Sequence, residues 1–159
     1  MIALHKIVLL DTNVLVEIIR GSSLAEWIEA KYQLSSRPER PLISIVTVGE
    51  ILALAKKFGW GDEKTRNLHD LIRQYVTVDI SALTIIDFYA QISYHLESTG
   101  QKIPQNDMWI AATAAAAQAV LLTLDKHLDR LTSVFIEIEW IDPKGHYPPT
   151  EANPAPEMD

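Results

Sequence analysis

Two short apolar runs that stop on a carboxylate constrain this chain more than any other feature. Ile7-Val8-Leu9-Leu10 ends at Asp11, and Val120-Leu121-Leu122-Thr123-Leu124 ends at Asp125. Aliphatic runs this short, with no polar alternation, suit parallel strands buried on both faces. Each is followed by helical periodicity, so the chain is expected to form βαβ units around a parallel sheet with helices on both sides. Ligands of such open sheets bind beyond the carboxyl ends of the strands. Asp11 and Asp125 stand at two of those ends.

The remaining elements follow from periodicity and turn chemistry. Helices are expected over residues 13–20, stopped by Gly21-Ser22-Ser23, and over 24–32. Residues 35–41, with two prolines, form a loop, and 42–45 the next strand. Thr47-x-x-Glu50 has the spacing of a capping box and is expected to open a helix that Gly59 ends. An amphipathic helix over 62–74, a strand over 75–78 and a helix capped by Ser81 and running to residue 98 come next. Asn106-Asp107 opens an alanine-rich helix ending near 119; after the Val120 strand come a short helix over 126–131 and a strand over 136–141. Residues 1–142 thus form one α/β domain. Five of the eight prolines lie in Pro143–Pro156, so 143–159 is expected to be a disordered tail.

Composition narrows the chemistry. With no cysteine, disulfides, thiolate nucleophiles and Cys-ligated zinc are excluded together. The five histidines lack ligand spacing, and no Walker A loop or nucleophile elbow is present. The opening apolar run breaks at Asp11 without a cleavage site, so no secretory signal is expected. The most apolar stretch, residues 110–124, is too short to span a bilayer. A cytoplasmic protein that binds no membrane is the expectation. The net charge of -7 opposes nucleic-acid binding by bulk charge, because that mode needs a basic patch.

Metal-assisted phosphodiester hydrolysis needs little protein: a few carboxylates distant in sequence, gathered at a sheet edge. They hold hard cations that activate water and neutralise the leaving oxygen, often as a pair about 4 Å apart. Asp11, Glu50, Asp107 and Asp125 have that distribution. Each also has an ordinary role open to it. Asp11 and Asp125 can cap the helices that follow, Glu50 can complete the Thr47 capping box, and Asp107 can sit at the positive end of a helix dipole.

The motifs carry a resemblance. Leu10-Asp11-Thr12-Asn13, Val48-Gly49-Glu50-Ile51, Pro104-x-x-Asp107-x-x-Ile110-Ala111-Ala112 and Leu122-Thr123-x-Asp125-x-x-Leu128 are similar, in order and spacing, to the four signatures of PIN-domain toxins of the VapC type, from type II toxin–antitoxin systems. The resemblance covers residues 7 to 142. It implies a three-layer α/β/α fold with a five-stranded parallel sheet, Mg²⁺- or Mn²⁺-dependent endoribonuclease activity, a homodimer, and inhibition by a cognate antitoxin. It makes Asp11, Glu50 and Asp107 the main acidic metal ligands with Asp125 the fourth. Thr12, Asn13 and Thr123 become polar support. Leu128 stands where many relatives have Phe, which alters packing and leaves the chemistry untouched.

Alternatives fit less well. A haloacid-dehalogenase-type phosphatase needs a second Asp at position 13, where this chain has Asn13, and a receiver domain needs an acidic pair after the first strand. A PIN fold that binds RNA or protein without cutting is the other reading, and the presence of all four acids weighs against it. Trp60 and Trp109 are candidates for base stacking, with Trp109 better suited to packing. Gln101, Lys102 and Gln105 are candidate phosphate or base contacts in the loop before Asp107. The apolar faces of 51–58 and 83–96 exceed what one side of a sheet needs, which also points to a homodimer.

Overall fold

Five parallel strands form the sheet of the computed structural model, which describes residues 2–148. They are β1 (Val8–Leu10), β2 (Leu42–Ser44), β3 (Val76–Val78), β4 (Val120–Thr123) and β5 (Glu137–Trp140), in the order β3-β2-β1-β4-β5. From β1 the chain first builds outward through β2 and β3, then returns to add β4 and β5 on the other side. The order therefore reverses between β1 and β4, which pair Val8 to Val120, Leu9 to Leu121 and Leu10 to Leu122. A crevice opens at such a reversal, at the carboxyl edge.

Period-two alternation divides the core into two layers. Val8, Leu10, Val120 and Leu122 pack on one side against α1 (Thr12–Arg20), α2 (Ser23–Tyr32), α3 (Ile45–Lys57) and α4 (Asp62–Ile72). Leu9 and Leu121 pack on the other against α5 (Leu83–Ser98) and α6 (Gln105–Ala117). The three-layer α/β/α expectation holds. In α6 small size matters more than amphipathicity: Ala111, Ala112, Ala114 and Ala115 are all buried, letting its backbone lie close to α5 and the sheet.

Local details depart from expectation at three points. Thr47 does not cap α3. Ser44, the last residue of β2, does so by accepting from the Val46 N–H at 3.2 Å, and the helix starts at Ile45 with Thr47 buried inside it. A capping box and two residues facing one way on a helix share the same i, i+3 spacing, so the pattern does not say which applies. Ser81 is not a cap either. Its N–H donates to Asp79 at 2.8 Å, and Ala82 precedes α5 with no side-chain cap. A 3₁₀ turn over Leu34–Ser36 runs into the start of the expected 35–41 loop. Gly21 ends α1 as expected, in the left-handed conformation (φ 61°) that glycine adopts without strain.

Of the expected tail, residues 143–148 are described. A turn after Asp142 brings the Tyr147 hydroxyl to the Asp142 carbonyl at 2.6 Å and its ring 4.6 Å from that of Trp27. The rest, 149–159, lies outside the described residues. Among the described residues, no helix is long and apolar enough to cross a membrane.

Candidate active site

The four acids come from four elements that meet at the crevice. Asp11 directly follows β1, Glu50 lies on the second turn of α3, Asp107 in the first turn of α6, and Asp125 just beyond β4. Because α6 runs back antiparallel to the β4 it leads into, its N-terminus comes to the carboxyl edge of the sheet. Two of the four carry a raised proton affinity, Asp107 and Asp11. The Asp107 carboxyl is pushed up to about 7, chiefly by burial and then by the charges of Asp11, Asp125 and Glu50. Asp11, almost wholly buried, is also raised. Burial is the main cause; hydrogen bonds from Thr123 and Thr12 oppose it, and the Glu50 and Asp125 charges reinforce it.

A polar scaffold holds three of the four in place. The Thr123 hydroxyl donates to Asp11 Oδ2 at 2.6 Å, and the Thr12 N–H donates to Oδ1 at 2.7 Å. Thr123 Oγ1 in turn accepts from the Asp125 N–H at 3.0 Å, so one buried hydroxyl links the ends of β1 and β4. Asn13 bridges the same gap, its Oδ1 accepting from the Leu124 N–H at 3.1 Å. On the other side Thr12 Oγ1 donates to Glu50 Oε1 at 2.8 Å. Its single proton is then used, so it accepts at 2.9 Å from Thr47, which holds Thr12 in position.

Capping and convergence turn out to be compatible. Asp11 is the N-cap of α1, and Asp125 accepts from the His127 N–H at 2.8 Å and so caps the 3₁₀ turn Lys126–Leu131. Glu50 is no capping partner, because α3 begins five residues earlier. Asp107 caps nothing, and among the described residues its carboxylate accepts no hydrogen bond. It is the least compensated charge of the four.

The donor set is all oxygen, which suits a hard cation and excludes soft metals. As the side chains stand, no three of the described acids are close enough to enclose an ion together. Mg²⁺ does not need that; it keeps several waters and is held through one or two carboxylates. A half-buried Asp107 with unsatisfied negative charge, beside three more carboxylates, fits such an ion.

The other candidates sort by geometry. Trp109 stacks on Tyr89 with ring centroids 3.9 Å apart, and is a packing residue. Trp60 lies against Lys64 and borders a small apolar recess with Val16 and Ile51, away from the acids. Gln105 donates to the Tyr89 hydroxyl at 3.1 Å, and Gln101 lies 3.4 Å from the Thr99 hydroxyl. The Lys102 carbonyl accepts from Arg130 at 2.6 Å and its side chain is exposed. Sequence reasoning missed Thr47, whose i, i+3 relation to Glu50 was the available signal, and His127, whose Nδ1 lies 2.9 Å from Asp125 Oδ1. A separate groove of about 810 Å³, lined by Glu29, Leu34, Arg37, Leu71 and Tyr75 among others, contains none of the four acids.

Removing the Thr12 hydroxyl while keeping its shape tests the scaffold. Thr12→Val should lower turnover roughly 10- to 100-fold, the usual cost of losing a residue that orients a ligand, and leave the circular dichroism spectrum unchanged. Steady-state RNA cleavage measures it, and a variant within twofold of wild type would show that Glu50 needs no orientation.

Comparison with known proteins agrees with this fold. The PIN domain family model matches residues 8–134. Among solved structures, the chain is similar to VapBC2 from Rickettsia felis, bound to a promoter DNA fragment (TM-score 0.74, 22% identity, covering 86% of this chain and 99% of that one). It is also similar to VapBC-1 from nontypeable Haemophilus influenzae (0.68, 26%, 84% and 97%). A third is VapBC-5 from Mycobacterium tuberculosis, a member of the VapBC family of toxin-antitoxin systems (0.63, 21%, 86% and 99%). No match is found among curated protein sequences. The chain belongs to the PIN-domain family of nucleases.

Proposed function

We propose that this chain is a metal-dependent endoribonuclease, the toxin of a toxin–antitoxin pair, with residues 1–142 as the nuclease domain and 143–159 as a tail. The observation that carries this reading is Asp107: a half-buried carboxyl without a hydrogen-bond donor, pushed up to about 7 beside three other carboxylates. A fold gains no stability from that arrangement. It is retained where a cation resolves it.

Asp11, Asp107, Glu50 and Asp125 would hold Mg²⁺ or Mn²⁺, which supplies an activated water and neutralises charge on the leaving oxygen. The chain's own residues supply position. Thr123 and the Thr12 N–H leave Asp11 one orientation, Thr12 and Thr47 orient Glu50, and Asn13 keeps the ends of β1 and β4 at a fixed separation. Cations that screen the carboxylates also ease the approach of an RNA backbone to this acidic site. The test is cleavage of single-stranded RNA with Mg²⁺ or Mn²⁺ and its loss with chelator. Binding of RNA with no cleavage under either metal would support the non-catalytic alternative.

The similar structures include toxin–antitoxin complexes, and the partner proposed here is an antitoxin that presents a cation to the acids. An arginine suits best, since its planar fork pairs with two carboxylate oxygens at once. A homodimer is also proposed. Leu83, Ile86 and Tyr94 lie along one face of α5 and are 82%, 42% and 75% exposed. Light scattering at micromolar concentration should report a dimer, and Leu83→Asp with Tyr94→Asp should shift it to monomer. A wild-type monomer overturns the expectation.

A further inference from the structure

Trp140 is the last residue of β5, and it is exposed beside the acidic crevice. The register pairs it with Thr123 of β4, whose hydroxyl holds Asp11. That places it one strand from Thr123 and two from Asp11, or roughly 10 Å across the sheet's carboxyl edge. Its indole N–H donates to the Leu124 carbonyl at 3.2 Å, which fixes the ring next to the residue that precedes Asp125. The Lys126 ammonium lies 5.3 Å from the ring centroid. Trp140 is 36% exposed, whereas Trp27, Trp60 and Trp109 are less exposed and held in packing contacts.

An oriented, accessible indole with an exposed cation beside it has the two elements of a single-strand binding site. The π-face accepts any base, and the ammonium accepts a phosphate. We propose that Trp140 and Lys126 form a nucleotide subsite for single-stranded RNA, the base stacking on the ring in place of the ammonium and the adjoining phosphate pairing with Lys126. The inference rests on the nucleolytic reading of the four acids and adds how an acidic protein grips RNA beside them. Neither residue belongs to the acidic constellation. The separation from Asp11 is on the scale of one nucleotide, so a base held here would place a neighbouring phosphodiester over the carboxylates.

The test is binding of a dye-labelled, mixed-sequence single-stranded oligoribonucleotide in chelator, where no turnover occurs, measured by anisotropy across a salt series. Trp140→Leu keeps apolar bulk without a π-face and should weaken binding roughly 5- to 150-fold, the range for losing one stacked base. Trp140→Phe keeps a ring and loses the indole N–H, and should stay within about threefold of wild type. Lys126→Ala should reduce the slope of log K against log salt by about 0.7, as for one phosphate contact on a single strand, while Trp140→Leu leaves the slope unchanged. Wild-type affinity in Trp140→Leu, or equal losses in the Leu and Phe variants, overturns the stacking site. An unchanged slope in Lys126→Ala overturns the phosphate contact. Cleavage with metal is assayed separately: RNA binding that depends on Trp140 without any cleavage would remove the nuclease reading and leave the subsite standing.

Discussion

Asp107→Asn should reduce RNA cleavage by about 10³-fold or more and leave the far-ultraviolet circular dichroism spectrum unchanged. A bound ion that activates water and neutralises the leaving oxygen contributes several kcal/mol to the barrier, and each 1.4 kcal/mol is a factor of ten. An amide in place of this carboxylate removes one unit of negative charge from the crevice, so both ion affinity and ion position are lost. The fold should be unaffected, since Asp107 caps no helix and its carboxylate accepts no hydrogen bond among the described residues. Asp11→Asn should be as inactive but less clean. Both Asp11 oxygens are committed, to the Thr12 N–H and the Thr123 hydroxyl, and an amide nitrogen cannot accept from either. The amide oxygen still caps the Thr12 N–H, but the bond from the Thr123 hydroxyl is lost, and a stability loss of about 1 kcal/mol should accompany it. Steady-state cleavage under saturating Mn²⁺ and thermal melts separate the two effects. Near-full activity in Asp107→Asn would falsify the assignment of this site.

How far the site could be read in advance depends on how local its signals are. The ends of β1 and β4 were legible because an apolar run that halts on Asp marks both a strand end and an acid in one short segment. Two-sided burial of the strands and the parallel sheet followed from the same runs. Thr47 illustrates the limit. Its partner Thr12 is 35 residues away, and the bond between them depends on α3 being capped by Ser44 and not by Thr47. A shift of one helical turn at the start converts a cap into an orienting hydroxyl, and pattern alone does not resolve that. Ser81 fails for a related reason: α5 starts at Leu83, which puts Ala82 and not Ser81 at the cap position. Trp140 lacked any local signal. Its place at the crevice comes from β5 pairing beside β4, which is decided by the whole sheet order. Capping and metal-site roles for the acids had looked like competing readings; Asp11 and Asp125 satisfy the capping geometry at the same place where the acids gather.

Stability without substrate gives the sharpest separation of the remaining roles, and Asp107 is the residue to follow. Its folded-state carboxyl lies at about 7, against 3.8 for an unperturbed aspartate. Between those values the folded chain holds a proton that the unfolded chain has released. Metal-free protein should therefore become more stable as pH falls from about 8 through 7 toward 4, the reverse of a carboxylate in a salt bridge. Allowing for solvent reaching a half-buried group, the effect is on the order of 2 kcal/mol. At pH 8 in chelator, Asp107→Asn should melt several degrees above wild type, at roughly 2–4 °C per kcal/mol for a chain of this size. That advantage should shrink as pH falls and vanish below about pH 4, where both folded and unfolded wild type become protonated. Asp125→Asn should gain less, because the Asp125 carboxylate already accepts from the His127 N–H and lies against the His127 ring nitrogen, contacts that Asp107 lacks. Metal should reverse the order: at about a hundred times its dissociation constant an ion stabilises wild type by roughly 2.7 kcal/mol, and Asp107→Asn by much less. Melts of the three proteins at pH 5 and 8, with chelator and with Mn²⁺, measure all of this. If Asp107→Asn melts below wild type at both pH values and keeps the full response to Mn²⁺, the Asp107 carboxylate is stabilising the helix dipole of α6 and holds no ion.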